Sequence, residues 1–99
     1  MAHFKKFGVA EHLNDAETIA AYLTEALETD DAAFISLAIG TVARAKGMAQ
    51  VAGEAGLSRE SLYKSLNGQA KPEFDTVRKI LATLGVKLVA APIDNSKAA

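Results

Sequence analysis

The chain has no cysteine among its 99 residues, which excludes disulfides, thiolate catalysis and cysteine-ligated zinc. It also lacks long apolar runs. Hydrophobic residues make up 49% of the sequence, but they are mostly Ala, Leu, Val and Ile at helical spacing, and no run approaches the roughly 18 residues that a membrane span requires. The N-terminal MAHFKKFGVAEHL has no apolar stretch of the signal-peptide kind. A cytoplasmic location with no membrane partner is therefore expected. The two prolines, Pro72 and Pro92, fall in a loop and in the tail.

A strong excess of one charge is missing as well. The net charge of −1 argues at first against a nucleic-acid binder, but its distribution does not. Residues 1–31 carry seven acids against Lys5 and Lys6, a net of −5, while residues 32–99 carry nine bases against five acids, a net of +4. Such asymmetry in one small domain fits two working surfaces, one for phosphates and one for a basic partner. It equally fits acids gathered at helix starts, where the helix dipole favours them.

Catalytic and metal-binding constellations are absent from the pattern. His3 and His12 are nine residues apart, a spacing that matches no compact ligand motif. Glu54 and Glu60 have no His or Ser partner at a suggestive spacing and read as helix-surface charges. Neither enzyme activity nor a cofactor or metal is expected.

What is present is helical periodicity. Asn14 or Asp15 can cap a helix to about Glu28, with Ile19, Tyr22, Leu23, Ala26 and Leu27 on one apolar face. Asp30 or Asp31 opens a second helix to about Lys46, with Phe34, Ile35, Ala38, Ile39, Val42 and Ala43 as its apolar stripe and Gly47 as its end. Phe74, Val77, Ile80, Leu81 and Leu84 mark a last helix that stops at Gly85. The period then changes. Val86 to Ala91, VKLVAA, favours a strand, which needs a partner; the candidates are the weak stretch Phe4 to Val9 or the same strand of a second subunit.

Between these helices lies GMAQVAGEAGLSRESLYKSLNG, Gly47 to Gly68. A first helix, about Met48 to Ala55, must stop at Gly56, which takes positive φ without a Cβ clash. Leu57 plugs the corner, and Ser58 caps the next helix. Ala52 is small where two steeply crossed helices approach closely. Leu62 and Leu66, at i and i+4, hold the second helix down. Its other faces carry Ser58, Arg59, Glu60, Ser61, Tyr63, Lys64 and Asn67, groups suited to base edges and phosphates; Gln50 from the preceding helix joins them. Arg59 is the best guanine reader by position and chemistry. Tyr63 suits either a DNA contact or the edge of the core. Asn67, before a glycine, reads slightly better as a helix-terminal residue than as a phosphate contact.

Met48 to Asn67 resembles the helix-turn-helix of phage repressors of the Cro/C1 type, with Ala52, Gly56, Leu57, Leu62 and Leu66 at its packing positions. Three blocks, Ala20 to Glu28, Ala43 to Gly68 and Phe74 to Leu88, together resemble the bacterial probable addiction-module antidote proteins, a HigA-like group. The helical periods and the VKLVAA run predict an all-α fold of about five helices with a short C-terminal β-strand, and the resemblance implies that it is lambda-repressor-like. Residues 1–99 are expected to form one domain, with an N-terminal helical extension (1–30), a repressor-like DNA-binding core (31–85), a strand that would dimerise (86–92) and a polar tail expected to be disordered (93–99). The resemblance also implies an antitoxin that neutralises a RelE/ParE-like, HigB-type toxin and, as a homodimer on an inverted-repeat operator, represses its own operon. A phage-type or operon repressor with no toxin partner is the alternative.

Overall fold

The computed structural model describes residues 14–93. Among these, five helices follow one another: α1 (Ala16–Leu27), α2 (Ala32–Lys46), α3 (Met48–Ala55), α4 (Arg59–Ser65) and α5 (Phe74–Thr83). There is no sheet. The stretch Phe4 to Val9, both histidines and the tail from residue 94 lie outside the described residues.

Local chemistry sets each boundary. Asp15, not Asn14, caps α1, its Oδ1 accepting from the Thr18 amide at 2.8 Å; an N-terminal amide is otherwise unpaired. After α1 the chain reverses within a few residues. Thr29 bonds the Ala26 carbonyl through both its amide (3.1 Å) and its hydroxyl (2.7 Å). Asp30 takes a left-handed φ of 56°, a conformation that Asp tolerates better than most side chains. Asp31 then caps α2 by accepting from the Phe34 amide at 3.1 Å. Gly47 ends α2, and α3 departs from it bent by 105°.

The α3–α4 turn is the sharpest. Gly56 has φ 72°, and the Leu57 amide reaches back to the Ala52 carbonyl at 2.8 Å, a Schellman closure that satisfies a helix-end carbonyl. Ser58 caps α4, accepting from the Ser61 amide at 3.0 Å. On the other side, a Cβ at Gly40 would stand 3.2 Å from the Leu66 carbonyl oxygen. The absence of a side chain there lets the end of α4 close onto α2.

The core joins all five helices. Val42, Val51, Leu62, Leu66 and Ile80 are fully enclosed, and α1 adds Ile19, Leu23 and Ala26. α1 packs on α2, and α3 packs on α2, α4 and α5. No single helix among the described residues is long and apolar enough to cross a membrane.

Three expectations are corrected. The strand at Val86 to Ala91 is not formed; that segment is irregular and exposed beyond Val86. β-propensity without a second strand among the described residues leaves no ladder to join, and the Val86 amide instead closes α5 by donating to the Leu81 carbonyl at 3.1 Å. Phe34 is 47% exposed, because α2 turns Ser36 and Gly40 inward and the buried face is rotated away from its first turn. Leu27 is 41% exposed at the end of α1, where no helix among the described residues lies over it to complete its burial.

Two outcomes follow. Leu62→Ala removes an enclosed side chain and is expected to lower stability in urea unfolding by about 2–5 kcal/mol. The Asp15 carboxyl is held below its usual range chiefly by the Thr18 backbone amide and then by the Thr18 side chain. Because the folded value is depressed, its contribution is present at neutral pH and is lost as pH falls through that value, below about pH 4. Asp15→Asn keeps a capping acceptor and should flatten that acid-side loss of α1 helicity in circular dichroism, leaving neutral-pH stability nearly unchanged.

Candidate nucleic-acid interface

α4 has one buried side and the rest exposed. Leu62 and Leu66 point into the core, whereas Arg59, Glu60, Ser61, Lys64 and, at 44% exposure, Tyr63 stand in solvent. Burial of two leucines one turn apart dictates this presentation, since the side chains between them must point elsewhere. Ser58 and Ser61 are tied to each other, Oγ to Oγ at 2.9 Å, in addition to the capping bond. Their shared role at the helix start is structural, and both remain exposed.

The cations fall into two groups. Lys46 pairs with Glu54 at 3.2 Å and also donates to the Thr83 carbonyl. Arg78 and Lys79 both pair with Asp75, at 3.1 and 3.2 Å. In contrast, Arg44, Arg59, Lys64, Lys71 and, after α5, Lys87 have no acidic partner among the described residues. Arg59 and Lys64 are on α4 itself, and Lys71 follows in the loop after it. The Arg44 Nη1 atom lies 3.3 Å from the point where a Gly40 Cβ would sit, and the Leu66 carbonyl oxygen is 3.2 Å from that same point. This guanidinium therefore lies beside the C-terminal end of α4.

Arg44 and Lys71 were not among the residues expected from sequence. Arg44 lies on the helix before the α3–α4 pair, and only the close approach at Gly40 brings it to α4. The signal available in sequence was the run of basic residues from Arg44 to Lys71, with Glu54 and Glu60 as its only acids. That run does not show which cations are neutralised.

Two expected site residues have internal work. The Gln50 amide donates to Glu54 Oε2 at 3.0 Å, and this bond, followed by that from Lys46, holds the Glu54 carboxyl below its ordinary range. Gln50 thus reaches the surface as part of a Lys46–Glu54–Gln50 cluster joining α2 and α3. Asn67 Oδ1 accepts from the Gln69 and Ala70 amides, at 2.8 and 3.2 Å, an Asx turn that folds the loop after α4. Among the described residues, no group of three His, Asp or Glu is arranged to hold a metal ion. Asn67→Asp preserves that acceptor and should leave thermal stability nearly unchanged. Asn67→Ala should cost about 0.5–1.5 kcal/mol, as expected for loss of a turn-forming hydrogen bond; equal stability of the two variants in calorimetry would remove this structural role.

Residues 3–92 match the family model described as probable addiction module antidote protein. A relative from Haemophilus influenzae, described as an uncharacterized protein, is 47% identical over 83 residues, which is 84% of this chain and 86% of the relative. No solved structure matches. Antidotes of this kind are not enzymes, and their name implies a cognate toxin. With nearly the whole chain inside the family match, the protein belongs to the probable addiction module antidote proteins.

Proposed function

We propose that this antitoxin neutralises a RelE/ParE-like, HigB-type toxin by direct binding and represses its own operon through α3 and α4, acting as a Cro/C1-type helix-turn-helix. The observation that carries the DNA half is the unneutralised cation set around α4, beside a helix whose only enclosed side chains are leucines. Phosphate neutralisation supplies most non-specific affinity for DNA, and a cation already paired with a carboxylate contributes little to it. Arg59, in the first turn of α4, is placed to read guanine. Ser58, Glu60, Ser61 and Tyr63 line the same helix, while Lys64, Lys71 and Arg44 contact phosphates. Gln50 and Asn67 hold the flanking backbone in position.

Two copies related by a two-fold axis would present their α4 helices about 34 Å apart, one helical turn of DNA, on an inverted repeat. Exposed apolar side chains such as Phe74, at 67%, give such a dimer surface to bury.

The test is titration on the operon's own promoter with footprinting. Arg59→Ala should cost about 1–3 kcal/mol on the cognate site and relax base preference, whereas Lys64→Ala should weaken all sequences alike and lower the salt slope by about 1. Unchanged affinity in both variants would take α4 out of the interface. Binding of operator without any binding of the toxin encoded alongside it would leave a plain repressor.

A further inference from the structure

An apolar groove lies between α1, α2, α5 and the segment after α5. Leu23 and Leu27 of α1, Ile39 of α2, Val77 and Leu81 of α5, and Leu88 line it, around a cavity of about 120 Å³. That volume is well below the roughly 300 Å³ at which small-molecule sites begin. It suits instead a single apolar anchor side chain from a protein partner, the usual form of a binding hot spot.

The charge around the groove selects the partner. Glu17, Ala20, Thr24, Leu27 and Glu28 run along one stripe of α1 at helical spacing, and Ala20, Thr24 and Leu27 line the groove. Glu17 and Glu28 therefore flank its wall, with Asp30 and Asp31 in the following turn. Residues 14–31 contain no base, and Lys87 is the only cation lining the groove. A second copy seated on this face across a two-fold axis would oppose acids to acids, which is unfavourable. DNA is repelled for the same reason. The partner must bring basic side chains around an apolar anchor.

The geometry points to this groove as the docking site of the cognate toxin, through a segment that is basic and carries one large apolar side chain. The assignment rests on the antitoxin reading above. None of the lining residues belongs to α3 or α4, so toxin and operator occupy separate faces and bind together.

The test uses the full-length chain, the toxin encoded in the same operon, and the operator duplex. Leu27→Gln alters a half-exposed wall residue, and the double variant Glu17→Lys, Glu28→Lys alters only exposed rim charges, so both should fold as wild type. Each is expected to lower toxin affinity roughly tenfold or more, the charge variant with a weaker salt dependence than wild type, and to leave operator affinity within about twofold. Wild type should form a ternary complex with toxin and operator. Toxin affinity unchanged in both variants overturns the groove assignment while leaving the antitoxin reading intact. Loss of self-association in Leu27→Gln with toxin binding retained assigns the groove to a second copy and overturns it as well. A wild-type chain that does not bind the toxin overturns both readings.

Discussion

The left-handed backbone at Gly56 is the constraint on which the rest of the molecule depends. It lets α3 stop and α4 begin within three residues, with the Leu57 amide bonded to the Ala52 carbonyl and the small Ala52 side chain buried where the helices meet. α4 has only seven residues, too few to persist alone in water. Its existence as a helix depends on Leu62 and Leu66 entering a core already shaped by Val42, Val51 and Ile80. The outward direction of its polar side chains is thus a consequence of packing, and Gly40 on α2 fixes how deeply the helix can sit.

Charge is partitioned on this frame in a way that a net value of −1 conceals. Ion pairs at exposed positions add little stability, so the Asp75 pairs on α5 and the Lys46–Glu54 pair matter mainly for the field they cancel. They neutralise cations on α5 and at the end of α2. Those near α4 are left without an acidic partner, and the stretch from Asp15 to Asp31 contains no base. One small domain then presents opposite fields on two faces, without any excess of charge overall.

Features that depend on local chemistry were legible in the sequence: the five helices, the stop at Gly56, the cap at Ser58 and the inward pair Leu62 and Leu66. What sequence could not reveal was set by neighbours. Phe34 and Leu27 carry the right apolar character at plausible spacing, but burial requires another element to lie over them, and none among the described residues does. VKLVAA has strand propensity, yet a strand is a pairing and not a property of six residues. The choice of Asp15 over Asn14 is a one-residue matter of which oxygen meets the Thr18 amide. Gln50 and Asn67 have DNA-compatible chemistry, and their engagement with Glu54 and the 69–70 backbone exists only in three dimensions. The candidate reader Arg59 was visible because a single helix carries it, and Arg44 was not because two helices must meet to place it.

The groove and the α4 surface share one structural element, α2. Ile39 lines the groove, and the next residue, Gly40, meets the Leu66 carbonyl, so adjacent residues of one helix touch both faces. Proximity of this kind does not by itself couple two ligands. Coupling requires an element with two arrangements that each ligand favours differently. α2 is a continuous helix of 15 residues, capped by Asp31 and packed on α1 and α3, with no break at Ile39 or Gly40 that would provide a second arrangement. A rigid shared helix transmits position, not preference. On the function proposed above, toxin and operator bind within one subunit with nearly additive free energies. Cooperative repression by the toxin complex would then arise between subunits on the operator rather than through the fold of a single chain.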